Sequence, residues 1–183
     1  MTEAGVIVRQ FDALSKTGFA WEPCADHLWC SKFSRIWPSS IINRDYNNVL
    51  YRGEEEAGLV LAPPPLNRFH CIFPGDGNSM GHLDEPCQDT CTPPRIWDCS
   101  FPPHQLEKAL QANHGNGKYN EVVIDAQYMK RNLPRSIMGI FYMAPDTKEK
   151  AKAIHSQFVA HYGAEAADVP LLKLNLKSGF SRG

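Results

Sequence analysis

Ser136-Ile-Met-Gly-Ile-Phe-Tyr-Met143 is an unbroken apolar run of strand length, bounded by Pro134 and Pro145. With no polar alternation it fits a strand covered on both faces. Downstream, Asp146 is positioned to cap the first amides of a helix, with Glu149 three residues on to reach back in an acidic variant of the capping box. Ala151, Ile154, Phe158, Val159 and Tyr162 then recur at helical spacing, and Gly163 supplies a stop. This predicts an amphipathic helix of about four turns. Pro170-Leu-Leu-Lys-Leu-Asn-Leu176 reads as a further strand. Strand, helix and strand form a crossover unit, expected to be right-handed with parallel strands.

Upstream, Glu121-Val-Val-Ile-Asp125 is another strand candidate, followed by ten residues that suit a short helix or a loop. The fold class expected is α/β, or α+β overall, with a small mixed or parallel sheet. An irregular Cys/Pro-rich N-terminal half with short strands precedes it. The chain, 1–183, is expected to be a single domain, divided into that half at 1–102 and an α/β half at 103–183. If the strands run parallel, Asp125, Asp146 and Asn175 gather at their carboxyl ends, where open α/β sheets bind ligands.

Further toward the N-terminus, residues 6–14 suit a short strand or the start of a helix. Residues 19–37 carry Phe19, Trp21, Trp29, Phe33 and Trp37, rings expected to cover the sheet. A turn is expected at 45–48, with strands at 49–52, 58–62 and 69–73. Pro63-Pro64-Pro65 forms an extended, rigid joint between them. After Cys99, Leu106, Ala109 and Leu110 form the buried stripe of a helix that Gly115 ends.

At 183 residues and 43% hydrophobic, the chain is long enough to bury one proper core. A formal net charge of -1 argues against a dedicated nucleic-acid binder. No stretch approaches the roughly 20 apolar residues of a transmembrane helix, and no signal peptide stands at the N-terminus.

Six cysteines, Cys24, Cys30, Cys71, Cys87, Cys91 and Cys99, all fall in the first hundred residues among many prolines. Irregular chain buries little apolar surface and often relies on cross-links, so disulfides are the leading expectation. They imply a secreted or lumenal protein whose targeting segment is absent from the chain. The function expected first is a disulfide-braced interaction or structural domain with a protein or glycan partner. The rival is zinc, with His82, Cys87, Cys91, Cys99 and His104 as ligands at zinc-finger density but without a Cys-x-x-Cys knuckle.

The most chemically suggestive stretch is the Gly-rich loop at 74–85. Its glycines free the backbone to approach a ligand, and Asp76, Asn78, Ser79, His82, Asp84 and Glu85 form a candidate binding set. His82, Asp84 and Glu85 alternatively suit a metal-dependent hydrolase. The loop is neither a phosphate loop nor a calcium loop, lacking Gly-Lys-Ser/Thr and alternate carboxylates.

Three segments carry a resemblance to a family. Leu50-Tyr-Arg52-Gly, Asn78-Ser79 and Tyr119-Asn-Glu121-Val-Val, the last followed by Leu133-Pro-x-Ser-Ile-x-Gly, resemble the ADP-ribosyltransferase pattern. There an arginine on an early strand, a serine on a middle one and a glutamate on a late strand surround NAD. The resemblance implies that Arg52 holds the pyrophosphate, that Ser79 is the serine, and that Glu121 stabilises the oxocarbenium-like ribosyl centre. Three departures stand beside it: there is no Ser-Thr-Ser strand, Tyr119 holds the place where the family has Gln or Glu, and the terminal crossover unit is additional.

Overall fold

A computed structural model describes residues 6–10, 36–42, 57–74, 101–112, 120–175 and 179–182. Eight strands form one mixed sheet: β1 (Val6–Gln10), β2 (Ile36–Ile42), β3 (Ala57–Leu61), β4 (Phe69–Phe73), β5 (Glu121–Asp125), β6 (Ile137–Tyr142), β7 (Leu171–Asn175) and β8 (Gly179–Arg182). Their spatial order is β4-β5-β2-β1-β3-β6-β7-β8. Every neighbouring pair is antiparallel except β6 and β7, which pair in parallel as Ile140↔Leu171, Phe141↔Leu172 and Tyr142↔Lys173. The class is α+β with a mixed sheet, larger and far more antiparallel than three C-terminal strands suggest.

The helices are α1 (Leu106–Ala112), α2 (Ala126–Asn132), α3 (Pro145–Tyr162) and α4 (Ala164–Ala167). Short 3-10 turns occupy Leu66–Arg68 and Pro103–Gln105. Helix α3 connects the parallel pair and packs on β3, β6 and β7, while α2 packs on β2 and β5 and α1 on β4. Between them lies one apolar core. It takes Ala57, Leu59 and Leu61 from β3, Ile137, Ile140 and Tyr142 from β6, Val122 and Ile124 from β5, and Ala151, Ile154 and Phe158 from α3. Burying each of the larger side chains contributes about 1.5–3 kcal/mol. Strand alternation sends the intervening residues to the other face. Val60, Cys71, Phe73, Val123 and Phe141 are buried there, outside that cluster.

Two of the irregularities among the described residues bear on the fold of β2 and β6. In the β3–β6 ladder, Val60 pairs with Gly139 but Leu61 with Ile137, which leaves Met138 as the extra residue of a bulge and 47% exposed. Strand β2 changes partners along its length: residues 36–39 pair with β5, and residues 40–42 with β1. Pro38 therefore lies in the stretch flanked in register by β5 alone. A missing donor is tolerated where one flank has no ladder.

The cap of α3 corrects one expectation. Ala144 is the N-cap and Pro145 opens the helix, so Asp146 is already inside the first turn. The capping group is Thr147, whose hydroxyl accepts from the Ala144 amide at 3.0 Å and the Met143 amide at 3.1 Å, and donates to the Ala144 carbonyl at 2.9 Å. Glu149 faces away and pairs with Lys152 at 2.7 Å. Pro145 displaces the cap because it fits the first helical position, where an amide donor is dispensable. At the other end Gly163 takes φ 67° and donates its amide to Val159 at 2.8 Å, terminating the helix as its position predicts.

Residues 126–132, left open between helix and loop, are helical. Residues 6–10 are strand. The aromatic residues Phe19, Trp21, Trp29 and Phe33, the turn at 45–48, the strand at 49–52 and the helix stop at Gly115 lie outside the described residues.

Candidate functional site

Two polar residues are covered where β5 begins, Asn120 just before the strand and Glu121 as its first residue. Asn120 is 0% and Glu121 4% exposed, immediately before Val122, Val123 and Ile124, each at 0%. Burying a carboxylate is costly unless other groups compensate for the lost water, so such a residue inside a sheet is a candidate for chemistry. Glu121 faces Phe73 of β4 in register. It alternates with Val122 and Ile124 of the core cluster and so belongs to the other face of the sheet.

On the opposite flank of β5 runs β2, with Ser39 paired to Val122. One step further along β2, Ser40 is level with Glu121 and pairs on its own far side with Val8 of β1. Val8 in turn pairs with Val60, which is buried outside the core cluster, so Ser40 shares its register parity with Glu121. Ser40 and Glu121 thus hold neighbouring register positions where β2 passes from one partner strand to the other. Sequence reasoning missed Ser40. The signal available was the Ser-Ser pair set in Ile36-Trp-Pro-Ser-Ser-Ile-Ile42, an apolar run that Pro38 disguised as loop. Arg9 is the arginine of the neighbouring β1, but it pairs with Leu59 of the core cluster and has the opposite parity to Glu121.

The far end of β5 is structural. Asp125 accepts from the Tyr128 amide at 3.0 Å, capping α2, and Arg68 lies 3.7 Å from its other oxygen while its guanidinium stands 5.6 Å from the centre of the Tyr128 ring. Asp125, Asp146 and Asn175 are not brought together by a parallel sheet. Strand β5 is antiparallel to both its neighbours, β4 and β2, and four strands lie between it and β7.

Of the other candidates, Arg52, Asp76, Asn78, Ser79, His82, Asp84 and Glu85 lie outside the described residues, as do Cys24, Cys30, Cys87, Cys91 and Cys99. His104 sits exposed in the 3-10 turn before α1. Among the described residues no group of three or more His, Cys, Asp or Glu is arranged to hold a metal ion, and no helix is long and apolar enough to cross a membrane. Cys71 is 3% exposed, with Sγ 3.7 Å from the Phe101 carbonyl oxygen. In register it faces Val123, on the same side of the β4–β5 ladder as Glu121.

Fold and site together define an α+β protein with a buried carboxylate on an inner strand of a largely antiparallel sheet. No protein-family model and no curated protein matches the chain.

Proposed function

We propose that the chain is an enzyme of ADP-ribosyltransferase type that uses NAD as donor, with Glu121 as its essential carboxylate. The observation that carries this is the burial of Glu121, 4% exposed at the start of β5, one register step beyond the Ser39–Val122 pair and so level with Ser40 of β2. That fits the late-strand glutamate of the pattern; Ser40 precedes Arg52 in the chain and so falls outside the arginine, serine, glutamate order, which leaves Ser79 as the serine and makes Ser40 an additional position beside the carboxylate. Arg52 keeps the assignment that the sequence suggests, holding the pyrophosphate by bidentate hydrogen bonds.

In the reaction the bond between the ribose C1′ and the nicotinamide nitrogen breaks, and its electron pair leaves with nicotinamide, neutralising the pyridinium. Positive charge develops on the ribosyl centre, where a fixed carboxylate is worth most because no water must reorganise. An acceptor nucleophile then bonds to C1′ and loses its proton to solvent. Glu121→Gln keeps the shape and removes the charge. It should slow nicotinamide release from NAD by about 10²–10³-fold, with Ser40→Ala slower than wild type to a smaller degree. Equal rates for wild type and Glu121→Gln would end the idea.

A second reading has its own support in the six cysteines set among the prolines of the first hundred residues. It takes the chain as a disulfide-braced, secreted or lumenal domain that binds a protein or glycan. The Cys/Pro-rich segments of 1–102 then brace a sheet to which both 1–102 and 103–183 contribute strands, and β6, α3 and β7 make a crossover of the right hand that such units favour. Intact mass after denaturing alkylation tests it: no additions before reduction and six after are expected, whereas six before reduction would remove it.

A further inference from the structure

The strand beside Glu121 is pinned with unusual care at one residue. Phe73 ends β4, 1% exposed, and is the register partner of Glu121. Directly opposite residues on an antiparallel pair bring their Cβ atoms within about 4.5–5.5 Å, on the same face. Neither belongs to the core cluster under the helices. The backbone just before Phe73 is fixed by the Ile72–Phe101 bridge, with amide-to-carbonyl distances of 3.0 and 2.8 Å in the two directions. Just after it stands Pro74, also buried, which confines Phe73 itself to extended backbone. A bridge on one side, a proline on the other and β5 along the flank hold the Phe73 backbone in register with Glu121.

We infer that Phe73 is a positioning residue for Glu121, holding its carboxylate in one rotamer and keeping water from that side of the ribosyl centre. The inference rests on the NAD reading and adds a residue to it. A ring cannot donate or accept a proton here; what it supplies is a rigid, dry wall. Misplacing a catalytic group by about 1 Å can cost around 10²-fold in rate, so the effect belongs in turnover and not in NAD binding.

Steady-state NAD cleavage by wild type, Phe73→Leu and Phe73→Tyr tests this, with near-ultraviolet circular dichroism confirming the fold of each. Phe73→Leu keeps most of the buried volume without the planar wall. It should lose roughly 10- to 100-fold in kcat with KM changed by no more than about twofold, and Phe73→Tyr should recover most of the loss. A folded Phe73→Leu protein with wild-type kcat, or with only KM altered, overturns the inference while leaving Glu121 in its role. A wild type that releases no nicotinamide overturns the NAD reading, and the inference with it. If Phe73→Leu does not fold, Phe73→Tyr decides: a kcat reduced as much as roughly 10-fold would show that keeping the ring does not keep the position.

Discussion

A Cβ at Gly139 would lie 2.5 Å from Leu172 Cδ1 and 3.3 Å from the Pro170 carbonyl oxygen. The first contact is with the end of a half-buried side chain that can swing; the second is with backbone that cannot. Gly139→Ala should therefore destabilise the fold toward the low end of the about 1–3 kcal/mol that overpacking costs, read as a lower midpoint in urea. An unchanged midpoint would mean that β6 and β7 sit further apart than described. Glu121 illustrates what a single residue discloses. That it opens a strand could be told from the apolar run behind it, but its burial depends on β4 and β2, whose residues are distant in the sequence. Ser40 could not be associated with it at all before the register was known, because register is a property of pairs.

Among the elements, α3 was the most legible. Its buried positions Ala151, Ile154 and Phe158 follow the helical period, and Gly163 marks its end. The error lay at its start, where Asp146 looked like a cap and Thr147 is one. Thr147 is 6% exposed, so Thr147→Val, which keeps the shape and removes the hydroxyl, leaves two amides short of an acceptor. A loss of about 1–3 kcal/mol is expected by chemical denaturation. Asp146→Ala should cost only the about 0.3–1 kcal/mol of an exposed charge at a helix N-terminus. The reverse ranking would restore Asp146 as the cap. Strand β2 was not legible: Pro38 argues against a strand in isolation, and it is tolerated only because that stretch has a ladder on one flank.

For the molecule as a whole, the sequence shows individual strands better than their order. The strands at 57–61, 69–73, 121–125, 137–142 and 171–175 are local apolar runs, and each was marked by its own composition and boundaries. That β5 enters between β4 and β2, and that β6 closes on β3, is decided by how faces match across the finished core. No run of neighbouring residues encodes it. The same argument applies to the site, which is assembled from β5 and β2 and so exists only in the sheet.

The change of partners along β2 has a consequence for how the chain is made. The first four strands cannot close a sheet among themselves, because β2 and β4 are joined only through β5, and β3 has β6 as its outer neighbour. During synthesis these early strands must remain incomplete until residues up to 142 have left the ribosome. Pairings so distant in sequence carry a high contact order and form slowly, and strands with unfilled edges are prone to mispairing meanwhile. Co-expressed chaperones should therefore raise the yield of folded protein, and an unchanged yield would mean that the early strands wait for β5 and β6 without mispairing.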